Sequence, residues 1–436
     1  MDIDALREKL ATTSALRPTG CVRSVTGLTV RLAVPGVRVG DVASIERRGA
    51  PLLVEVVGFE NAEAVAVALG DVTGVGPGDP VESTGGPLQV PAGRSLLGRI
   101  IDGLGRPIDE YALPTSGLRP VSVDRSPPSA LSRPPVKRRL TTGIRAIDGL
   151  MTLGVGQRVG LFAGSGVGKS TLLGAIARGT DADAVVVALV GERGREVGEF
   201  LSESLGVEGR RRAIVVVSTS DAPALERLKA AQVATAQAEA LRDEGVNVLL
   251  LVDSITRVAR AQREIGLAAG EPPARRGYPP SVFALLPRLL ERGGQAPEGS
   301  ITAIYTVLVE GGDMDEPVAD EVRGILDGHI VLDRAIAGRG HYPAIDVTSS
   351  LSRIMRSVVD AGQLQAASRI RSLIAAYEEK RDMVALGAYA KGSSPAVDQA
   401  IEALPAIEDF LCQSPAELCT FEETSRRLLS IAERSS

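Results

Sequence analysis

The chain has no tryptophan, and aromatic residues make up only 3% of its 436 positions. Surfaces that bind single-stranded nucleic acid are built from aromatic side chains on which bases stack, so such a platform is not expected here. A formal net charge of -5 at pH 7 also lacks the positive field that gathers a polyanion, although it leaves room for a local basic patch. Cysteine and histidine are nearly absent. Cys21, Cys412 and Cys419 form no C-x-x-C pair, and His329 and His341 are the two histidines. That is too little for a structural zinc site, and reduced cytosolic thiols are the simpler expectation. Long apolar runs are missing as well. "VNVLLLV" at 246–252 is too short to span a bilayer, and the start "MDIDALREKL" lacks the basic-then-apolar order of a signal peptide. A soluble, cytoplasmic protein is expected.

What is abundant is hydrophobic: 44% of residues against 24% charged, enough to fill large cores. At this length two or three domains are expected. Residues 1–17 carry Ile3, Leu6, Leu10 and Ala11 at helical spacing before Pro18 and Gly20, an amphipathic segment that suits docking onto a neighbour and a partner- or membrane-binding arm equally. Between 18 and 90, short Val-rich runs such as "LLVEVVGF" alternate with glycine and proline, which predicts a small β-barrel. The span 91–348 opens with a crossing strand at 91–101 and a Pro-rich extended connector at 104–136. It then alternates apolar runs ("RVGLFAG", "AVVVALVG", "AIVVVST", "NVLLLVD", "ITAIYTVLV") with helical patterns. Strands apolar on both faces and separated by helices predict a parallel α/β sheet. From 349 to 436 strands stop and helical patterns predict an α-helical domain.

One short stretch carries the chemistry. "LFAGSGVGKST" at 161–171 lies between a predicted strand and a predicted helix, and matches the phosphate-binding loop G-x-x-x-x-G-K-[ST] except that Ala163 replaces the first glycine. Ala163 closes the strand, where φ is negative and alanine fits without strain. Gly164, Ser165, Gly166, Val167 and Gly168 bring backbone amides to phosphate oxygens, and the helix that follows adds its positive end. Lys169 suits terminal phosphates, Ser170 suits Mg²⁺, and Thr171 suits the inner phosphates or the base side. In "VLLLVDS", Asp253 ends a strand and suits the water shell of the same metal, whereas an aspartate there without such a loop upstream reads as a helix cap. "VGERGRE" ends another strand with Glu192 and Arg193. Strand ends on one edge of a parallel sheet surround one crevice, which makes Glu192 the candidate general base, while spacing alone fits a solvated loop pair as well.

Taken together, "LTTGIRAIDGL", "GQRVGLFAGSGVGKST", "VGERGREVGEF", "LLLVDSITRVARAQREIGLAAGEPPARRGYPPSVF", "VLVEGGDMDEPVADEVRGILDGHIVLDR" and "HYPAIDV" resemble the export ATPases of type III secretion systems and flagella. These are relatives of the rotary ATP synthase α and β subunits. The resemblance runs from about residue 20 to the end and implies an N-terminal β-barrel, a RecA-like P-loop ATPase core and C-terminal helices, assembled as a homohexamer. It implies ATP as substrate and Mg²⁺ as cofactor. It further implies Glu192 as catalytic carboxylate with Arg193 in support, Tyr342 in "HYPAID" packing on adenine, and Arg353 in "SSLSRIM" as an arginine finger supplied across the subunit interface. The partners it implies are a stator-like regulator, a coiled-coil central stalk, chaperone–cargo complexes and the export gate, at the cytoplasmic face of the inner membrane.

Two other classes compete. A hexameric nucleic-acid translocase is disfavoured by the acidic charge and scarce aromatics. A synthase-type ring subunit is disfavoured because Glu192 and Arg353 occupy one chain and because "GEPPARRGYPPSVF" resembles the export branch. Within that branch, "EGGDMDEPVADEVRGILDGHIVLDR" followed by "HYPAID" favours an injectisome over a flagellum. The segment "FLCQSPAEL" at 410–418 is expected to serve packing.

Overall fold

The computed structural model describes residues 17–434, without the side chain of Glu310. The amphipathic segment expected at 1–17 lies outside the described residues except for Arg17. Six strands follow: β1 (Thr19–Thr26), β2 (Thr29–Ala33), β3 (Val42–Ile45), β4 (Leu52–Glu60), β5 (Glu63–Ala68) and β6 (Pro80–Ser83). They close into a barrel in the order β1-β2-β5-β4-β3-β6. Period-two alternation drives closure: Leu52, Val54 and Val56 of β4 turn inward onto Val30, Leu32 and Val81, and the residues between them do not. A closed barrel also removes the unpaired edges that an open sheet exposes.

The central unit is a nine-stranded sheet. Its main path uses β7 (Ile100–Asp102), β8 (Arg158–Ala163), β9 (Ala184–Glu192), β10 (Ala213–Thr219), β11 (Asn247–Asp253), β12 (Ser300–Leu308), β13 (Gly328–Leu332) and β14 (Ile345–Ser352). The spatial order is β14-β13-β8-β12-β11-β9-β10-β7, and Gly294–Gln295 adds a short antiparallel pairing on β12. Along the path every neighbour is parallel except β14, which runs antiparallel to β13. Helices α1 (Lys169–Gly179), α2 (Ala224–Arg242), α3 (Ile255–Ala268) and α4 (Pro280–Leu290) cover the faces. Alternate residues of one strand therefore feed two cores: Leu250 and Val252 join α2 and α3, while Leu249 and Leu251 join α1. Between α2 and the end of α4, Glu239 takes two bonds from Arg292 at 2.9 and 2.8 Å with both side chains buried. Removing one partner of such a pair costs about 3–5 kcal/mol, because it strands the other charge.

Three helices, α5 (Ala361–Ala385), α6 (Pro395–Leu411) and α7 (Phe421–Arg434), form the C-terminal unit. Asp360 caps α5 by accepting the Gln363 amide at 2.8 Å. Arg145, 2% exposed, fastens this unit to the core by donating to the Phe410 carbonyl at 2.8 Å and by pairing with Glu417. Beside it Phe410 approaches so closely that a Cβ on Gly149 would lie 2.8 Å from its ring, which is why the turn of helix at Arg145–Leu150 carries glycine there.

Two features depart from expectation. The sheet's last strand runs to Ser352, past the boundary placed at 349. "IDVTSSLS" is polar because an edge strand meets solvent on one side, so it lacks the apolar run that marks an inner strand. The extended connector also takes part in pairing. Its Arg119–Ser122 pairs antiparallel with Gln89–Ala92, and Ile100–Asp102 is a separate strand at the sheet edge, so the expected single strand at 91–101 is two. Among the described residues no helix is long and apolar enough to cross a membrane.

Candidate active site at the carboxyl edge of the sheet

β8 ends at the buried Ala163, which pairs in register with Leu308 and Leu332. The chain then turns through Gly166 and Gly168, at φ 78° and 86°, a left-handed backbone that glycine adopts without strain. A Cβ at Gly168 would touch the Tyr342 ring at 3.5 Å, and one at Gly164 would come within 3.0 Å of Arg334 Nε. Val167 is buried and pins the loop to the core, whereas Ser165, Ser170 and Thr171 are exposed. Lys169 opens α1 immediately after Gly168.

Three strand ends meet beneath this loop. Lys169 Nζ pairs with Asp253 Oδ1 and lies 3.5 Å from Glu192 Oε1. Burial pulls the Lys169 ammonium down, but the two carboxylates outweigh it and leave its pKa raised. Asp253 also accepts the Thr306 hydroxyl at 2.8 Å. Capping of α3 falls instead to Ser254, whose Oγ accepts the Arg257 amide, so the Asp253 carboxylate faces the lysine and not its own helix. Glu192 follows a shift of register in β9 at Gly191. Burial pushes its carboxyl up to about 7, helped by Asp253 and by the hydrogen bond it shares with Glu196, and opposed by Lys169 and Arg257. The same bond, with Arg193 beside it, holds Glu196 below the usual carboxylate range. Arg193 stands exposed at the rim and donates to Glu196 at 2.8 Å.

The loop separates two adjoining cavities. A trough of about 570 Å³ is lined by Lys169, Ser170, Glu192, Arg193, Arg257 and Arg334. The second, about 350 Å³, has Ile144, Leu172, Ala175, Tyr342, Pro343 and Pro415 among its walls. Gly166, Gly168 and Thr171 border both.

Several of these residues escaped sequence reasoning. Arg257 follows Asp253 by one turn and lies against Gly191, and its Nε is buried without a hydrogen-bond partner. Arg260 and Arg334 line the trough with it. The only available signal for Arg257 was its one-turn offset from Asp253. In "FLCQSPAEL", Phe410 and Leu411 pack into the core as expected, and beyond that Ser414 and Pro415 wall the second cavity, with Gln413 holding them there. Gln413 donates its backbone amide to the Tyr342 carbonyl at 2.8 Å and its side-chain amide to Gly143 at 2.7 Å, and it accepts the Arg145 amide at 2.8 Å.

Arg353 does not join this cluster. It follows the far end of β14, with its amide on the Asp327 carbonyl at 3.0 Å, and Asp327 in turn bonds Arg158. Arg158 and Ala163 are the two ends of β8, about 17 Å apart along an extended strand. The structure brings Gly164–Thr171, Glu192, Arg193 and Asp253 together at one edge of the sheet, sets Tyr342 in the cavity adjoining them, and leaves Arg353 at the opposite end.

Comparison with known proteins matches all three units. Residues 143–352 match the nucleotide-binding domain of the ATP synthase alpha/beta family, 22–85 match that family's β-barrel domain, and 359–430 match the T3SS EscN ATPase C-terminal domain. The flagellum-specific ATP synthase of Bacillus subtilis (strain 168) is 50% identical, over 99% of this chain and 99% of the relative. The type 3 secretion system ATPase of Xanthomonas euvesicatoria is 49% identical, over 98% and 97%. The structure of the assembled ATPase EscN from the enteropathogenic E. coli type III secretion system superposes with a TM-score of 0.88 at 45% identity, covering 95% of this chain and 100% of that one. EscN in complex with its central stalk EscO superposes equally well.

Proposed function

The chain belongs to the protein-export ATPases of the ATP synthase alpha/beta family, and from that premise we propose that it hydrolyses Mg²⁺-ATP to drive type III secretion. In this reading it releases and unfolds chaperone-bound substrates at the cytoplasmic face of the inner membrane. The observation that carries the catalytic part is the convergence of Lys169, Asp253 and Glu192 beneath one glycine loop.

The residues present fit the nucleotide. The trough is ringed by cations, one of which holds a buried Nε with no partner, and the adjoining cavity offers an aromatic face and a proline to a base. Ser170 and Asp253 supply two oxygen donors, and a magnesium ion that keeps its other positions for water and phosphate needs no more from the protein. When bound, it neutralises charge on the phosphate oxygens. The rest falls to the chain. Loop amides and the end of α1 cradle the phosphates, and Lys169 exchanges its carboxylate partners for them. Once deprotonated, Glu192 orients the attacking water and accepts its proton, which its position near pH 7 suits. Arg257 offers its Nε to the terminal phosphate, Arg193 steadies the carboxylates through Glu196, and Tyr342 stacks on adenine.

Arg353 lies too far from its own Lys169 to reach that site, which supports a homohexamer in which each copy supplies Arg353 to the next. EscN is described as an assembled ATPase and as bound to a central stalk, and this supports the same assembly and a coiled-coil stalk partner here. A stator-like regulator, chaperone–cargo complexes and the export gate complete the proposed partners, with the segment at 1–17 as the regulator contact.

The host machine is proposed to be an injectisome. Flagellar export is the second reading, favoured by the 50% identity to the flagellum-specific relative beside 49% for the secretion ATPase. Glu192→Gln in the producing bacterium tests both levels. Loss of ATPase activity and of effector secretion with normal swimming supports the proposal. Loss of swimming alone assigns the chain to the flagellum, and undiminished ATPase activity removes Glu192 as the base.

A further inference from the structure

Below the sheet, at the amino ends of β8 and β13, lies a side chain that the nucleotide chemistry does not use. Gln157 is 0% exposed, and its amide is engaged at both ends. Its Oε1 accepts the Gly154 amide at 3.0 Å, and its Nε2 donates to the Asp327 carbonyl and to Ser352 Oγ, each at 3.1 Å. The Asp327 carbonyl also receives the amide of Arg353, at 3.0 Å. Ser352 Oγ continues to the Thr152 carbonyl at 2.9 Å. On the other flank, Ile354 and Val358 pack on the same turn, so closely that a Cβ at Gly154 would fall 2.8 Å from Ile354 Cδ1. Residues on both sides of Arg353 are thus tied to the turn at 153–157, while the Arg353 side chain itself is exposed.

An edge strand needs such a tie more than an inner one. β14 has one neighbour, its register with β13 shifts between His329 and Val331, and the chain leaves the sheet just after Ser352. Packing alone would call for an apolar side chain at 157. A buried amide is costly to leave without partners, so Gln157 keeps the orientation that satisfies both its ends, and that orientation fixes Ser352 and the Arg353 backbone. We infer that Gln157 is a positioning residue for Arg353, setting the direction in which that guanidinium leaves the sheet toward the nucleotide site of a neighbouring copy. The inference rests on the reading of Arg353 as acting across a subunit interface, and it adds a residue of the donor copy that would act on the neighbour's site only through Arg353.

The test uses Gln157→Leu and, in case that variant folds poorly, Ser352→Ala, which removes one hydroxyl. With assembly intact, Gln157→Leu should lower kcat about tenfold or more with little change in KM for ATP, since a misplacement of about 1 Å can cost ~100-fold. Ser352→Ala should fall in the same direction by less. Each variant is then mixed with full-length Lys169→Ala chains, which keep Gln157 and Arg353 but lack a working phosphate loop. ATPase activity should rise above the sum of the two separate proteins, because a sound Arg353 now serves the variant's intact loop. Arg353→Ala mixed with Lys169→Ala is the control. If the control recovers and the Gln157 and Ser352 mixtures do not, the inference is overturned while the role of Arg353 stands. A rise in KM at constant kcat also overturns it. If the control itself fails to recover, the reading beneath both falls.

Discussion

At the carboxyl ends of the strands, Lys169, Glu192 and Arg257 line a cavity with Asp253 buried beneath them; at the amino ends, Gln157, Arg158 and Asp327 face one another. The first group is electrostatically unfinished. Its lysine is shared between two carboxylates, one of them raised to about 7, and Arg257 has a buried donor without an acceptor. The second group is closer to balanced, for although Arg158 Nη1 is buried without a hydrogen bond, it pairs with Glu291 at 2.5 Å. Arg158 bonds Asp327 at 3.1 and 3.3 Å, and Gln157 uses both ends of its amide. On the proposed reading, the contrast separates two needs of one reaction: a place where a ligand and a proton arrive, and a rigid base from which a cation is presented to a different copy.

Arg353→Ala breaks this comparison most severely. It should lower kcat about 10³-fold, the lower range for a trans arginine, while nucleotide affinity stays near that of the parent, since the residue is remote from its own chain's crevice. Steady-state kinetics beside equilibrium nucleotide binding checks both halves, and an equal loss of binding would place Arg353 in its own site. Acidity probes the open end alone. A carboxyl raised to about 7 is protonated, and useless as a base, below that pH, so kcat/KM should fall about tenfold per pH unit below 7. A profile flat down to pH 5.5 would remove Glu192 from proton transfer. The smallest effect is expected at the cavity beside the loop. Tyr342→Ala should raise KM for ATP about tenfold through lost stacking and leave kcat nearly unchanged.

The same division explains what the sequence could reveal. The phosphate loop was legible because its residues are contiguous and its flanking strand and helix have opposite periodicities. Asp253 and Glu192 were legible one step later, since each ends an apolar strand and parallel strands share one ligand edge. Pro415 and Arg334 were not. They reach the crevice through the docking of α6 and through the short helix after β13, and local pattern carries no trace of either contact. Gln157 was hidden for the opposite reason. Beside an apolar strand it reads as an ordinary polar turn residue, and only the antiparallel return of β14 supplies its partners. Ser352 was hidden with it, because it lies past the point, 349, at which apolar strand patterns stop.

Mixing Lys169→Ala with Arg353→Ala chains tests the central claim most directly. Each should be nearly inactive alone, one lacking the phosphate contact and the other the cation delivered to its neighbour. When the two co-assemble, ATPase activity should reappear at interfaces that join an intact loop to an intact Arg353. A mixture that forms rings but hydrolyses no more ATP than its separate parts would contradict the account, because the two ends of the sheet would then be serving one chain.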